Sequence, residues 1–243
     1  MRVLLLKEIR GFFSSLTGYI VIIVFMLTNS LFMWVFPGDL NVLDSGYASL
    51  DSLFTMAPWI FLFLVPAITM RTFAEEKRGG TMEFLLTKPL TDLQIILAKY
   101  FGALILAILA LLPCLIFYWS LSKLGNPPGN LDSGGTWGAF IGLFFLAAVY
   151  TAIGVFVSSL SDNQIIAFIV ALLTSFFFYM GFDFLASLPV LQSFDTFILN
   201  LGINEHYKSI SRGVVDSRDI IYYLALISFF IIITKLRLQS RNW

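Results

Sequence analysis

The chain has 243 residues, of which 58% are hydrophobic and 12% charged, with 26 phenylalanines and a formal net charge of zero. A soluble domain of this size could not bury so much apolar surface, so the chain belongs in a bilayer. Its apolar runs are too long and uniform for the alternating strands of about 10 residues that build a membrane β-barrel. The neutral balance gives no argument for nucleic acid, and no such partner is expected.

Taken in chain order, residues 1–16 read as an interfacial helix. Leu5, Leu6, Ile9, Phe12, Phe13 and Leu16 share one face, and Lys7, Glu8, Arg10, Ser14 and Ser15 the other. That division suits a helix lying at the membrane surface. A frayed start to the first span is the simpler alternative. The segment lacks the uninterrupted apolar core and cleavage site of a signal peptide.

A membrane-crossing helix needs about 20 residues. Six runs qualify: 17–36, 53–70, 99–121, 136–158, 164–185 and 219–236. The loop after the first carries Asp39, Asp44 and Asp51 with no basic residue. The second contains Pro58 and Pro66, and the third Pro113. Each proline removes an amide donor and crowds the carbonyl four residues back, giving an ordinary kink or a hinge. Thr91-Asp-Leu-Gln94 and Ser161-Asp-Asn-Gln164 fit the capping box before the third and fifth spans. In the fourth, Gly138, Gly142, Ala147, Thr151, Gly154 and Ser158 form a stripe of small residues. It is expected to pack inside the bundle more than against a second copy.

Asp183 reads as the only acid clearly inside a span. An acid there is a candidate for a transport path; hydration or capping near the interface is the alternative. Residues 187–217 combine an apolar half too short to span with an amphipathic half. They read as a re-entrant or interfacial helical connection capping the bundle, or as a plain ordered loop. Asp216-Ser-Arg-Asp219 offers acceptors at the start of the sixth span.

Lys and Arg set the orientation. Arg2, Lys7 and Arg10 precede the first span. Arg71, Lys77, Arg78, Lys88 and Lys99 follow the second, and Lys235, Arg237 and Arg241 close the chain. Only Lys123, Lys208, Arg212 and Arg218 fall on the other side. Both termini and the 74–89 segment are therefore expected in the cytoplasm, with 187–217 external. The sequence has no Gly-x-x-x-x-Gly-Lys-Ser/Thr loop, no Gly-x-Ser-x-Gly and a single histidine, His206. No catalytic, cofactor or metal site is expected in this chain. Its one cysteine, Cys114, can form no internal disulfide.

Between the second and third spans the chain changes character. Glu75, Glu76, Lys77, Arg78 and Glu83 crowd into fewer than ten residues. Gly79-Gly80 and Pro89 bracket a short helix predicted over 81–87, with Met82, Leu85 and Leu86 on one face. That face needs either the membrane interface or a partner's groove; a solvated loop is the alternative.

The interfacial helix, the six spans, a broken helical connection before the sixth, and one motif together resemble the ABC-2 class of ABC-transporter permeases. The motif is Thr69-Met-Arg-x-x-Ala-Glu-Glu-Lys-x-x-Gly-Thr-x-Glu-x-Leu-Leu-Thr-x-Pro89. The resemblance implies an all-α polytopic membrane protein whose 74–89 segment is a coupling helix seated in a separate ATPase subunit. Glu75, Glu76, Lys77, Arg78, Gly80, Thr81 and Glu83 would make that contact or support it. ATP and Mg would belong to the partner. Gly79 departs from the commoner single glycine and is assigned no role.

Within the class, three stretches are similar to the gliding-motility permeases of the GldF group. They are Phe36-Pro-Gly-Asp-Leu-Asn, Ala57-Pro-Trp-Ile-Phe-Leu-Phe-Leu-Val-Pro66 and Arg71-Thr-Phe-Ala-Glu-Glu-Lys. This implies a GldA-like ATPase, a GldG-like membrane-anchored accessory protein, a second permease copy and the bacterial inner membrane. Export of polysaccharide, lipid or drug, and a non-transporting mechanical relay, are the competing functions.

Overall fold

In hydrocarbon a single apolar segment must satisfy its backbone internally, which leaves helix as its only option. The computed structural model describes residues 1–83, 87 and 89–240 and contains helices but no strand among them. In chain order these are α1 (Arg2–Ser14), α2 (Leu16–Trp34), α3 (Val42–Ser45), α4 (Asp51–Thr69) and α5 (Ala74–Arg78). Next come α6 (Asp92–Leu111), a 3-10 turn (Leu112–Cys114), α7 (Leu115–Leu124), α8 (Ser133–Leu160) and α9 (Gln164–Phe176). A π-helical turn (Phe177–Gly181) leads to α10 (Phe182–Ala186), a 3-10 turn (Pro189–Phe194), α11 (Asp195–Leu199), α12 (Ile203–Ser211) and α13 (Ser217–Gln239).

Six helical stretches are long and apolar enough to cross a membrane: α2, α4 with α5, α6 with α7, α8, α9 with α10, and α13. The protein is thus an all-α polytopic membrane protein. Within its apolar core α8 is 78% buried, against 28% for α2 and 22% for α13. That contrast makes α8 the central post and leaves α2 and α13 facing outward. The small-residue stripe explains the difference. Gly138, Gly142, Ala147, Thr151, Gly154 and Ser158 are all buried within this chain. A Cβ on Gly138 would stand 2.7 Å from Gly213 Cα, so two backbones meet there.

Both ends of the chain converge on one end of the bundle. Leu4, Phe73, Met82, Ile95, Ile96, Ala98, Val155 and Leu238 form a satellite core there. The α3 and α12 regions lie at the opposite end.

Two local expectations are revised. The third span begins at Asp92 and not at Lys99, because Thr91 and Gln94 close a reciprocal capping box and Lys99 is accommodated inside the helix. The fifth does not use Ser161 as its cap. Asn163 takes that role, its side chain accepting from Ile165 N at 2.9 Å. On α1, Phe12 is buried as expected, but Glu8 turns inward.

Residues 187–217 form ordered helical pieces. From α12, Ile203, Asn204, Tyr207 and Ile210 are buried, and the helix packs on α8. Pro58 cannot donate to the Phe54 carbonyl, and the Tyr207 hydroxyl donates to it instead at 2.7 Å. Desolvation holds the Tyr207 phenol well above its ordinary pKa, so it stays a donor. The carbonyl that Pro58 leaves without its helical donor is therefore satisfied from α12. Tyr207→Phe leaves that carbonyl with no donor and is expected to cost roughly 1–3 kcal/mol. Thermal unfolding in detergent should show a lowered midpoint; an unchanged midpoint would mean that the carbonyl is satisfied otherwise.

Candidate functional site

The segment leaving the second span is shaped by its own hydrogen bonds. Thr69 Oγ1 donates to Val65 O at 2.9 Å, and Thr72 Oγ1 donates to Thr69 O at 2.7 Å. The chain then turns under the end of α8. There the Ser158 hydroxyl accepts from Phe73 N at 3.0 Å and Ala74 N at 3.2 Å, and donates to Met70 O at 3.0 Å. One side chain from another helix thus serves amides at the start of α5 and a carbonyl at the end of α4, groups that helix termini leave unpaired.

Helix α5 carries Glu75 and Glu76 in its first turn and Lys77 and Arg78 in its last, the favourable order for the helix dipole. Its end is a Schellman motif. Thr81 N donates to Glu76 O at 3.0 Å and Gly80 N to Lys77 O at 3.2 Å, with Gly80 at φ +65°. A residue with a Cβ would be strained in that left-handed position, which gives Gly80 a structural role.

The charges of α5 then divide. Lys77 turns inward, donating to Ser159 O at 2.8 Å and standing 3.6 Å from Asp162 Oδ1. Glu76 also turns inward, toward Lys99, whose side chain is 1% exposed. Lys99 Nζ donates to Glu8 Oε1 at 3.1 Å and to the Thr72 carbonyl. It lies 2.9 Å from Glu76 Oε2, an ion pair off the hydrogen-bond axis. Lys7 reaches the other Glu76 oxygen at 3.4 Å, and the Phe73 ring centroid is 5.1 Å from the Lys99 ammonium. Two lysines and two glutamates therefore form a neutral cluster joining α1, α5 and α6. A buried ammonium is tolerated only with such compensation. Gly102 supplies the notch: a Cβ there would meet Glu8 Cβ at 2.9 Å.

Glu75, Arg78, Gly80, Thr81 and Glu83 remain exposed. Met82 is buried in the satellite core with Leu4 and Ile95, so it anchors the segment to its own chain. Leu85, Leu86 and Lys88 lie outside the described residues; of the helix predicted over 81–87, Met82 and Glu83 are helical.

Asp183 sits elsewhere, at the α12 end, where its Oδ2 accepts from the Asn204 amide. It is not the only acid within a span. Asp219, in the first turn of α13, is 5% exposed and contacts His206 Nδ1 at 2.7 Å. The opposite ring nitrogen, Nε2, faces the Asn200 carbonyl at 2.9 Å and so carries a proton, because a carbonyl only accepts. Sequence reading assigned no role to Glu8 and Lys99 in the brace and gave Ser158 only a packing role. The available signal was a lysine inside an otherwise apolar, capped helix.

Against protein families, residues 7–202 match the family described as ABC-2 family transporter protein. No curated protein matches the chain.

Removing Lys99 alone leaves Glu8 without its cation and Glu76 with only Lys7, both carboxylates being largely shielded from solvent. Lys99→Met is expected to destabilise the protein by roughly 3–5 kcal/mol, the usual cost of breaking a buried pair. Lys99→Met with Glu8→Gln and Glu76→Gln removes every strandable charge and should recover most of the unfolding midpoint. Equal midpoints for single and triple variants would show that the cluster is not electrostatically coupled.

Proposed function

The chain belongs to the ABC-2 family of transporter proteins, and from that premise we propose that residues 74–89 couple it to an ATPase subunit. Membership makes it a transmembrane permease subunit of an ABC transporter, and the family works with an ATPase. One observation carries the reading: α5 is exposed on one side and braced on the other. Ser158 and Lys77 tie it to α8, and Glu76 ties it through Lys99 to α6 and α1. A push on such an element reaches three other helices; a push on a solvated loop reaches none.

The finer reading is a complex of the gliding-motility type. Its ATPase is GldA-like and holds ATP and Mg. A GldG-like anchored protein and a second permease copy complete it. The protein lies in the bacterial inner membrane with both termini in the cytoplasm, a reading supported by the bias of Lys and Arg. Under the alternatives, the same coupling drives export of polysaccharide, lipid or drug, or works as a mechanical relay.

Glu75→Lys with Glu83→Lys reverses exposed charges and leaves the inward brace intact. It is expected to weaken ATPase co-purification roughly tenfold, about 1.4 kcal/mol, with an unchanged unfolding midpoint. Wild-type recovery of the ATPase would remove this segment from the interface. Topology is checked with single cysteines, since native Cys114 is buried. Tyr47→Cys should react with an impermeant maleimide in spheroplasts, and Arg78→Cys only after permeabilisation. The reverse pattern inverts the protein and ends the coupling argument.

A further inference from the structure

At the end of the bundle away from α5, three helices line a half-open cavity of about 520 Å³. That lies within the range of roughly 300–1,000 Å³ usual for small-molecule sites. Helix α4 contributes Asp51 and Trp59, two turns apart on one face, and α12 contributes Asn204 and Lys208. The third wall is Tyr179 and Asp183, in and just after the π-helical turn. Such turns are rare and are frequently found at functional sites.

The charges are unevenly compensated. Asp51 and Lys208, one of each sign, are both exposed. Asp183 makes no ion pair among the described residues. Its Oδ2 takes the Asn204 amide, and its Oδ1 is buried without a hydrogen-bond partner. Beside it, the Trp59 and Tyr179 rings meet edge to face, with centroids 5.8 Å apart at 86°. A carboxylate lacking a cation of its own, set against an aromatic corner, suits a cation with an apolar surface. A metal ion would need several oxygens in place of rings. A neutral ligand would leave the carboxylate uncompensated.

We infer that this cavity binds a small organic ammonium group, with Asp183 supplying the counter-charge and Trp59 and Tyr179 enclosing the cation. A free amine and a lipid headgroup can both present that group. The site is a property of this chain without its ATPase, so it stands or falls separately from the coupling reading.

The test is calorimetric titration of the full-length protein in maltoside micelles. The probes are choline, its neutral isostere 3,3-dimethylbutanol, and dihexanoyl phosphatidylcholine. Choline should bind saturably and the isostere at least tenfold more weakly. Binding of the short-chain lipid alone would assign the ammonium to a headgroup. Asp183→Asn and Trp59→Leu should each weaken the binding probe at least tenfold. Should Asp183→Asn fail to fold, Trp59→Leu decides, because the Trp59 side chain is 39% exposed. The proposal is overturned if neither ammonium probe binds, if the isostere binds as well as choline, or if Trp59→Leu binds undiminished.

Discussion

A buried ammonium organises the end of this protein where the chain begins and ends. Lys99 lies inside a membrane helix, where an uncompensated charge is costly. Its partners come from residues 8, 72 and 76, on three other segments. Each is needed to offset the desolvation of one nitrogen, so the location of α1 against α6 and the orientation of α5 are fixed together. Between helices in lipid there is little hydrophobic drive to choose a partner, and polar ties of this kind specify what packing alone leaves open.

The second organiser is α8. Near one end Ser158 clamps the turn from α4 into α5; near the other, Gly138 receives the backbone at Gly213, and Gly142 faces the Tyr207 ring. Helix α4 is consequently held at both ends, through Met70 by Ser158 and through the Phe54 carbonyl by Tyr207. Trp59 lies between those ties. A displacement of α5 thus has a continuous covalent and hydrogen-bonded route along α4 to the aromatic corner at the far end. Pro58 sits on that route, and the Phe54 carbonyl it leaves without a helical donor is held by Tyr207.

The number and course of the spans were legible because apolar length is a local property. So was the Thr91–Gln94 capping box, written in a few adjacent residues. The brace was not. Glu8 and Lys99 are 91 positions apart, and Phe73 and Ser158 are 85 apart. Nothing local distinguishes a glutamate that faces water from one that meets a lysine across a helix interface. Lys99 looks in sequence like the edge of a span for the same reason: a charge usually marks the end of an apolar run, and only its partners show that this one is interior. Asp219 looks in sequence like a helix-start acceptor because His206, its partner, belongs to another helix.

The motif at 74–83 looks in sequence like one contact surface, and the structure separates it into two. On α5, Glu75 and Arg78 are one helical turn apart and share the exposed face. Glu76 and Lys77 point the other way, to Lys99 and to Ser159. Ala74 is buried under α8, Gly80 closes the helix, and Met82 sits in the satellite core. The chain's own folding therefore accounts for residues 74, 76, 77, 80 and 82 without any partner. What it leaves unexplained is the exposed set: Glu75, Arg78, Thr81 and Glu83. A motif that held only a partner would leave all its charges outward, and one that only folded a turn would need no charge at the exposed positions. The division between the two supports the proposed coupling role, with one face free to receive a partner and one tied to the bundle.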